Sequence, residues 1–145
     1  MRTLILLLLA VAAGAHADTP LFTSPAMIAS LSGEQIYEHI CQGCHMAGGQ
    51  GAIGAGHYPK LAANKNFVSW QFVAVTVLKG RGGMPPFGYP ANEGEKSRVT
   101  HLSDAQIADV VNYVRSHFGN AYKAEVTPAQ IAALPHPAAE LMGPQ

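Results

Sequence analysis

The chain has 145 residues, and its nine Lys and Arg balance nine Asp and Glu, so it carries no formal net charge at neutral pH. That length allows one domain with tails. No basic stripe or aromatic-spaced basic cluster is present, which argues against nucleic-acid binding.

Residues 1–17 read as a secretory signal peptide. Arg2 supplies the positive start, Leu4 to Ala13 is a ten-residue apolar run, and Ala15-His16-Ala17 forms a small-x-small cleavage pattern. A membrane-spanning helix needs about 20 apolar residues, so the expectation is export and cleavage before Asp18, with an uncleaved anchor as the competing reading. Loss of Arg2 then leaves one more carboxylate than basic side chains. Residues 18–30 contain Pro20 and Pro25 and are expected to form an extended leader.

The first helix is announced by Ser32-Gly33-Glu34-Gln35, a capping box, with Leu31 and Ile36 as its hydrophobic staple. Ile36, Tyr37 and Ile40 continue one apolar side straight into Cys41-Gln42-Gly43-Cys44-His45, which holds both cysteines of the chain. C-x-x-C-H is the attachment pattern of a c-type haem: two thiols bond the two vinyl groups, and the neighbouring histidine becomes an axial iron ligand. A thioredoxin-like pair would need a strand-to-helix context, and a zinc site would need a second ligand pair. A disulfide between residues three apart would be strained.

A glycine-rich loop follows from Ala47 to His57, five glycines in eleven residues, and its order is expected to come from the haem edge. A second helix is expected over Asn66 to Lys79 with Gly80 as its stop, a strand being the local competitor because of its β-branched residues. Gly80-Arg81-Gly82-Gly83-Met84-Pro85-Pro86-Phe87 is a stiff, turning loop suited to holding a thioether over an iron. Met84 is therefore the candidate second ligand, against the ordinary reading of a lone methionine as core packing; His57 is the alternative ligand. Residues 88–101 are polar, a solvated loop or a partner-docking insert. Ser103-Asp104-Ala105-Gln106 repeats the capping box, and Ile107, Val110, Val111, Val114 and Phe118 make an apolar stripe up to Gly119. Thr127-Pro128 starts a short helix to about Leu134, with a frayed end expected after Pro135 and Pro137.

With these motifs the chain resembles a class I c-type cytochrome over about residues 30–120. Gly33 and Tyr37 match the family's first helix, and the segment through Val110, Tyr113 and Arg115 matches its last. The resemblance implies an all-α, cytochrome c-like domain wrapped around one haem, here over 31–120, with 121–145 as a tail. It also implies that Gly33 permits a close helix crossing near Tyr113. In Pro59-Lys60-Leu61, the Pro59 carbonyl would accept the ring N–H of His45 and Leu61 would pack on the porphyrin. The single-haem core and the 127–134 segment are similar to cytochrome modules of bacterial membrane-associated dehydrogenases, such as the alcohol and gluconate enzymes. Those often carry three haems.

The expected function is one-electron transfer through haem c held by Cys41 and Cys44, with His45 and Met84 on the iron and Pro59 and Leu61 around it. The expected location is the periplasm. A dehydrogenase would be the donor and an oxidase or another cytochrome the acceptor, with peripheral association to a membrane complex among the options. Competing functions are a gas-binding or sensor haem and a haem enzyme with an open sixth position. No Ser-His-Asp or paired-carboxylate arrangement supports an enzyme, and His39, His101, His117 and His136 read as surface or cap residues.

Overall fold

The structure is a computed structural model describing residues 30–54, 56–88 and 101–137. The signal peptide expected at 1–17, the leader up to residue 29, most of the polar stretch 88–101 and residues 138–145 lie outside the described residues.

Ser32 and Gln35 form the capping box: the Gln35 N–H donates to Ser32 Oγ at 3.3 Å, and the Ser32 N–H donates to Gln35 Oε1 at 3.0 Å. Helix α1, Gly33–Ile36, is followed by a π turn over Tyr37–Cys41 and then by α2, Gln42–His45. The helix expected to run evenly into Cys41 is widened there, with the Gln42 N–H donating to the Tyr37 carbonyl. Such turns rotate the residues that follow and occur often at functional sites. Here the rotation falls on the two cysteines and His45.

An antiparallel ribbon adds two short strands to the helical architecture, β1 at Ala52–Ile53 and β2 at His57–Tyr58. The helix expected over Asn66 to Lys79 is split. A 3₁₀ turn covers Lys65–Val68, Ser69 is extended, and α3 runs over Trp70–Lys79. Asn64 and Ser69 each accept a nearby backbone N–H, from Asn66 at 3.0 Å and Phe72 at 3.2 Å. These local bonds compete with a continuous helix through β-branched Val68.

Helix α4, Asp104–Ser116, starts from the Ser103–Gln106 capping box and packs on both α1 and α3. Its Ile107, Val110, Val111 and Val114 join Ile36, Tyr37, Phe67, Val73 and Leu78 in one buried core. Phe118 departs from the expected stripe. The helix ends at Ser116, His117 is extended, and Phe118 takes a left-handed φ of 58°. That bend returns the Phe118 ring to Tyr37, with centroids 4.6 Å apart.

The tail is docked over its described residues up to Pro137, and the frayed end expected beyond lies outside them. The Asn112 side chain donates to the Val126 carbonyl at 2.9 Å and accepts the Val126 N–H at 2.8 Å, as a strand neighbour would. Helix α5, Pro128–Ala132, is capped by Thr127 and Gln130 and buries Ile131 completely. Arg115, buried in α4, donates to the carbonyls of Phe67 and Ala124 at 3.0 and 2.6 Å, tying α3's approach to the tail.

Asn120 performs a similar tie nearer the motif. It is 6% exposed, accepts the Asn64 N–H at 2.8 Å, and donates to the carbonyls of Leu61 and Val114 at 3.0 and 2.8 Å. Asn120→Ala leaves these groups unpaired in the interior, so an expected loss of about 2–3 kcal/mol should appear in guanidinium unfolding. A loss below about 0.5 kcal/mol, typical of an ordinary surface change, would show the tie to be dispensable.

Candidate functional site

Cys41 and Cys44 lie one helical turn apart where the π turn passes into α2, and they are not bonded to each other. Cys44 is exposed and Cys41 is partly buried. Burial, and secondarily the neighbouring Cys44, push the Cys41 thiol up to about 12. At neutral pH it is therefore an uncharged sulfur in an environment that also suits an uncharged thioether.

His45 closes α2 at 8% exposure, and its Nδ1 lies 3.0 Å from the Pro59 carbonyl. A carbonyl only accepts, so Nδ1 is the donor in this contact and Nε2 is the ring nitrogen that Pro59 leaves unengaged. The Pro59 carbonyl is held in place by Gly51, whose φ is 67°. A Cβ at Gly51 would strike the backbone of Tyr58, Pro59 and Lys60, so only glycine lets the two chain segments touch. The Gly51 N–H also donates to the His45 carbonyl at 3.1 Å. Leu61, half-buried against the core, donates its N–H to the Gly49 carbonyl at 2.7 Å. The glycine-rich loop thus draws order from its own backbone contacts, where the sequence pointed to the haem edge alone.

Tyr37 braces the far side of the motif, its hydroxyl donating to the Met46 carbonyl at 2.7 Å. Burial, with smaller contributions from Cys41 and Tyr113, pushes this phenol up to about 12, so it remains a protonated donor at neutral pH. Tyr37 also sits 5.7 Å from the Tyr113 ring, at the crossing that Gly33 permits.

Met84 is half-buried at the end of a tight reversal. The Arg81 N–H donates to the Met84 carbonyl at 3.0 Å, and the Met84 N–H donates to the Arg81 carbonyl at 3.1 Å, with Gly82 and Gly83 at the tip. Gly80, at φ 72°, has its Cα against the backbone of Met84, Pro85 and Pro86, the same device that Gly51 provides beneath Pro59. Phe87 and Gly88 then donate to the carbonyls of Val77 and Leu78 at 2.9 and 3.1 Å, folding the segment onto the end of α3. Gly80 also ends α3, as expected. What the sequence reading missed is the close backbone approach at Gly51 and Gly80, although both sit in runs whose glycine content was the available signal.

The other histidines lie elsewhere. His57 is exposed on β2, paired with Ile53. His117 caps α4 and stacks on Tyr113 at 4.1 Å. His101 Nδ1 faces the Gly88 carbonyl at 3.2 Å, His39 is half-buried, and His136 pairs with Asp104 at 2.8 Å.

Two unbridged thiols at C-x-x-C spacing, an uncharged sulfur at Cys41 and a buried imidazole whose Nδ1 is engaged by Pro59 fit a haem bonded through two thioethers. Comparison with known proteins agrees. The cytochrome c family model matches residues 30–118. The fructose dehydrogenase cytochrome subunit of Gluconobacter japonicus is 34% identical over 99 residues, covering 61% of this chain and 19% of that protein. The cytochrome c subunit of the quinone alcohol dehydrogenase of Gluconobacter oxydans is 31% identical over 108 residues, covering 71% and 22%. Cytochrome c6 of Picosynechococcus sp. is 32% identical over 123 residues, covering 78% and 95%. The chain therefore spans about a fifth of the length of those two dehydrogenase subunits. It belongs to the cytochrome c family of electron carriers, with haem c bound covalently through Cys41 and Cys44.

Proposed function

We propose that the chain is an exported, periplasmic one-electron carrier in which His45 and Met84 are the two axial ligands. It would take electrons from a dehydrogenase, as a free carrier or as its cytochrome subunit, and pass them to a terminal oxidase or another cytochrome. When bound, the haem supplies the Fe(III)/Fe(II) couple. His45 would present Nε2, because Pro59 occupies its other nitrogen and fixes the ring. Leu61 would cover part of the porphyrin with apolar surface. A thioether ligand from Met84 favours the reduced state and raises the potential.

The observation that carries this reading is the Met84 turn. Its reciprocal bonds to Arg81 and the Gly80 contact hold the backbone of a half-buried methionine in one place, which suits a permanent ligand better than an open ligand-binding site. The leader-like pattern of residues 1–17 supports export. The names of the dehydrogenase relatives support a dehydrogenase donor, with this chain corresponding to one module of such a subunit. Ile53, 89% exposed, and Tyr58, 39% exposed, offer apolar surface in the loop after the motif. With a net charge close to zero on the polypeptide, contact there would be brief and weakly steered.

Exogenous ligands test the assignment. The ferrous protein is expected to resist carbon monoxide and the ferric protein to resist cyanide, with no peroxide turnover. Tight carbon monoxide binding alone would make it a gas-binding protein, and binding accompanied by peroxide turnover would make it an enzyme. Rapid reduction on mixing with a dehydrogenase catalytic subunit would identify the donor.

A further inference from the structure

The last described residues of the tail, His136 and Pro137, lie against the segment that carries Met84. Gly88 and Phe87 are bonded to the end of α3, and on the other side the Leu102 N–H donates to the Phe87 carbonyl at 2.7 Å. Pro137, buried, closes over Gly88: a Cβ there would lie 3.2 Å from Pro137 Cδ and 2.8 Å from Leu78 Cδ2. The residue before Pro137 is anchored twice. His136 Nε2 lies 2.8 Å from Asp104 Oδ1, and its Nδ1 lies 2.8 Å from the Leu134 carbonyl. Both facing oxygens are acceptors when Asp104 is ionised. A neutral imidazole has one N–H and satisfies one of them; the imidazolium satisfies both.

We propose that His136 is a pH-dependent positioning residue for the redox centre: as imidazolium it bridges Asp104 and the Leu134 carbonyl, seats Pro137 on Gly88, and so holds the Met84–Gly88 segment against α3. Among the described residues, the titratable groups that act on it are Asp104 at the start of α4 and Lys79 at the end of α3. The hydrogen bond to Asp104 is the largest cause raising its pKa above the ordinary imidazole value; the Leu134 carbonyl adds to it, and burial and Lys79 oppose. A raised pKa means that the bridge is complete below the ordinary value of about 6.5 and weakens as pH climbs through the folded one. The latch therefore loosens on the alkaline side. The pair is partly solvated, so the effect is a few-fold rather than all-or-none.

The latch is a property of the polypeptide; its consequence for the iron rests on the Met84 reading. Amide exchange in the full-length haem-loaded protein separates the two. Protection factors of the Phe87 and Gly88 amides, corrected for intrinsic exchange, are expected to fall by a factor of about 2–5 from pH 5.5 to 8.5. In Asp104→Asn and in His136→Gln the fall should disappear, while protection at Val111 in α4 stays unchanged throughout. Flat protection in the unaltered protein, or a fall that persists in both variants, would overturn the proposal. The far-red Met–iron band of the same samples reports ligation separately. If that band is missing at every pH while protection still follows His136, the ligand assignment fails and the latch stands.

Discussion

Replacing Met84 with alanine is expected to abolish the far-red Met–iron charge-transfer band of the ferric protein, open the iron to carbon monoxide, and lower the reduction potential. The drop should be on the order of 0.1–0.2 V, a fraction of the ~0.8 V span that axial ligands set. Alanine should leave the turn itself intact. The two bonds between Arg81 and Met84 are backbone to backbone, Gly80 touches only the backbone of Met84 to Pro86, and Phe87 and Gly88 are bonded to α3 independently. The substitution therefore removes a thioether without moving its support, so any spectral change reports ligation. Met84→His offers the complementary case: a low-spin iron retained, with a lower potential than the thioether gives. Survival of the band in Met84→Ala would place another methionine on the iron, whereas a low-spin iron that lacks the band in the unaltered protein would point to His57 on β2.

What could be read from the sequence divides along the range of the interactions. Ser32 and Ser103 announce helix starts because each capping box is completed by a glutamine three residues later, and Thr127 does so through the proline that follows it. All three helices form, the third with a capping box to Gln130 as well. Cys41, Cys44 and His45 are equally local. Ser69 was hidden, because an apolar run with helical spacing crosses it and nothing nearby marks it as a cap. The π turn at Tyr37–Cys41 has no sequence signal, since the apolar spacing of Ile36, Tyr37 and Ile40 is that of an ordinary α-helix. Phe118 matches the apolar spacing of α4 but leaves the helix to reach Tyr37. In the tail the short helix was legible, but its docking was not, for the same reason. Its order comes from Asn112, Arg115 and Asp104 reaching backbone and side-chain groups 9 to 32 residues away.

Gly33→Ala is expected to cost about 3–5 kcal/mol in guanidinium unfolding of the haem-loaded protein, much of the roughly 5–15 kcal/mol that a domain usually possesses. An added Cβ at Gly33 would lie on the Asp109 carbonyl and crowd Val110 N, and both are helix backbone, which no rotamer change can move aside. Relief requires α1 and α4 to separate. That would open the contacts around Ile36, Tyr37, Val110 and Val111, all nearly inaccessible to solvent. Because α1 runs through the π turn into Cys41 and His45, the displacement would also pull the motif away from the Pro59 carbonyl. The cost is therefore expected to bring a shifted potential with it. Gly43→Ala supplies the contrast within the motif itself. Nothing lies within 4 Å of a Cβ built there, and alanine is the better helix former by about 1 kcal/mol, so this change should be neutral or mildly stabilising. Equal unfolding midpoints for the two variants would mean that the crossing at Gly33 can relax, and the close approach of α1 and α4 would lose its place as the main constraint on where the motif sits.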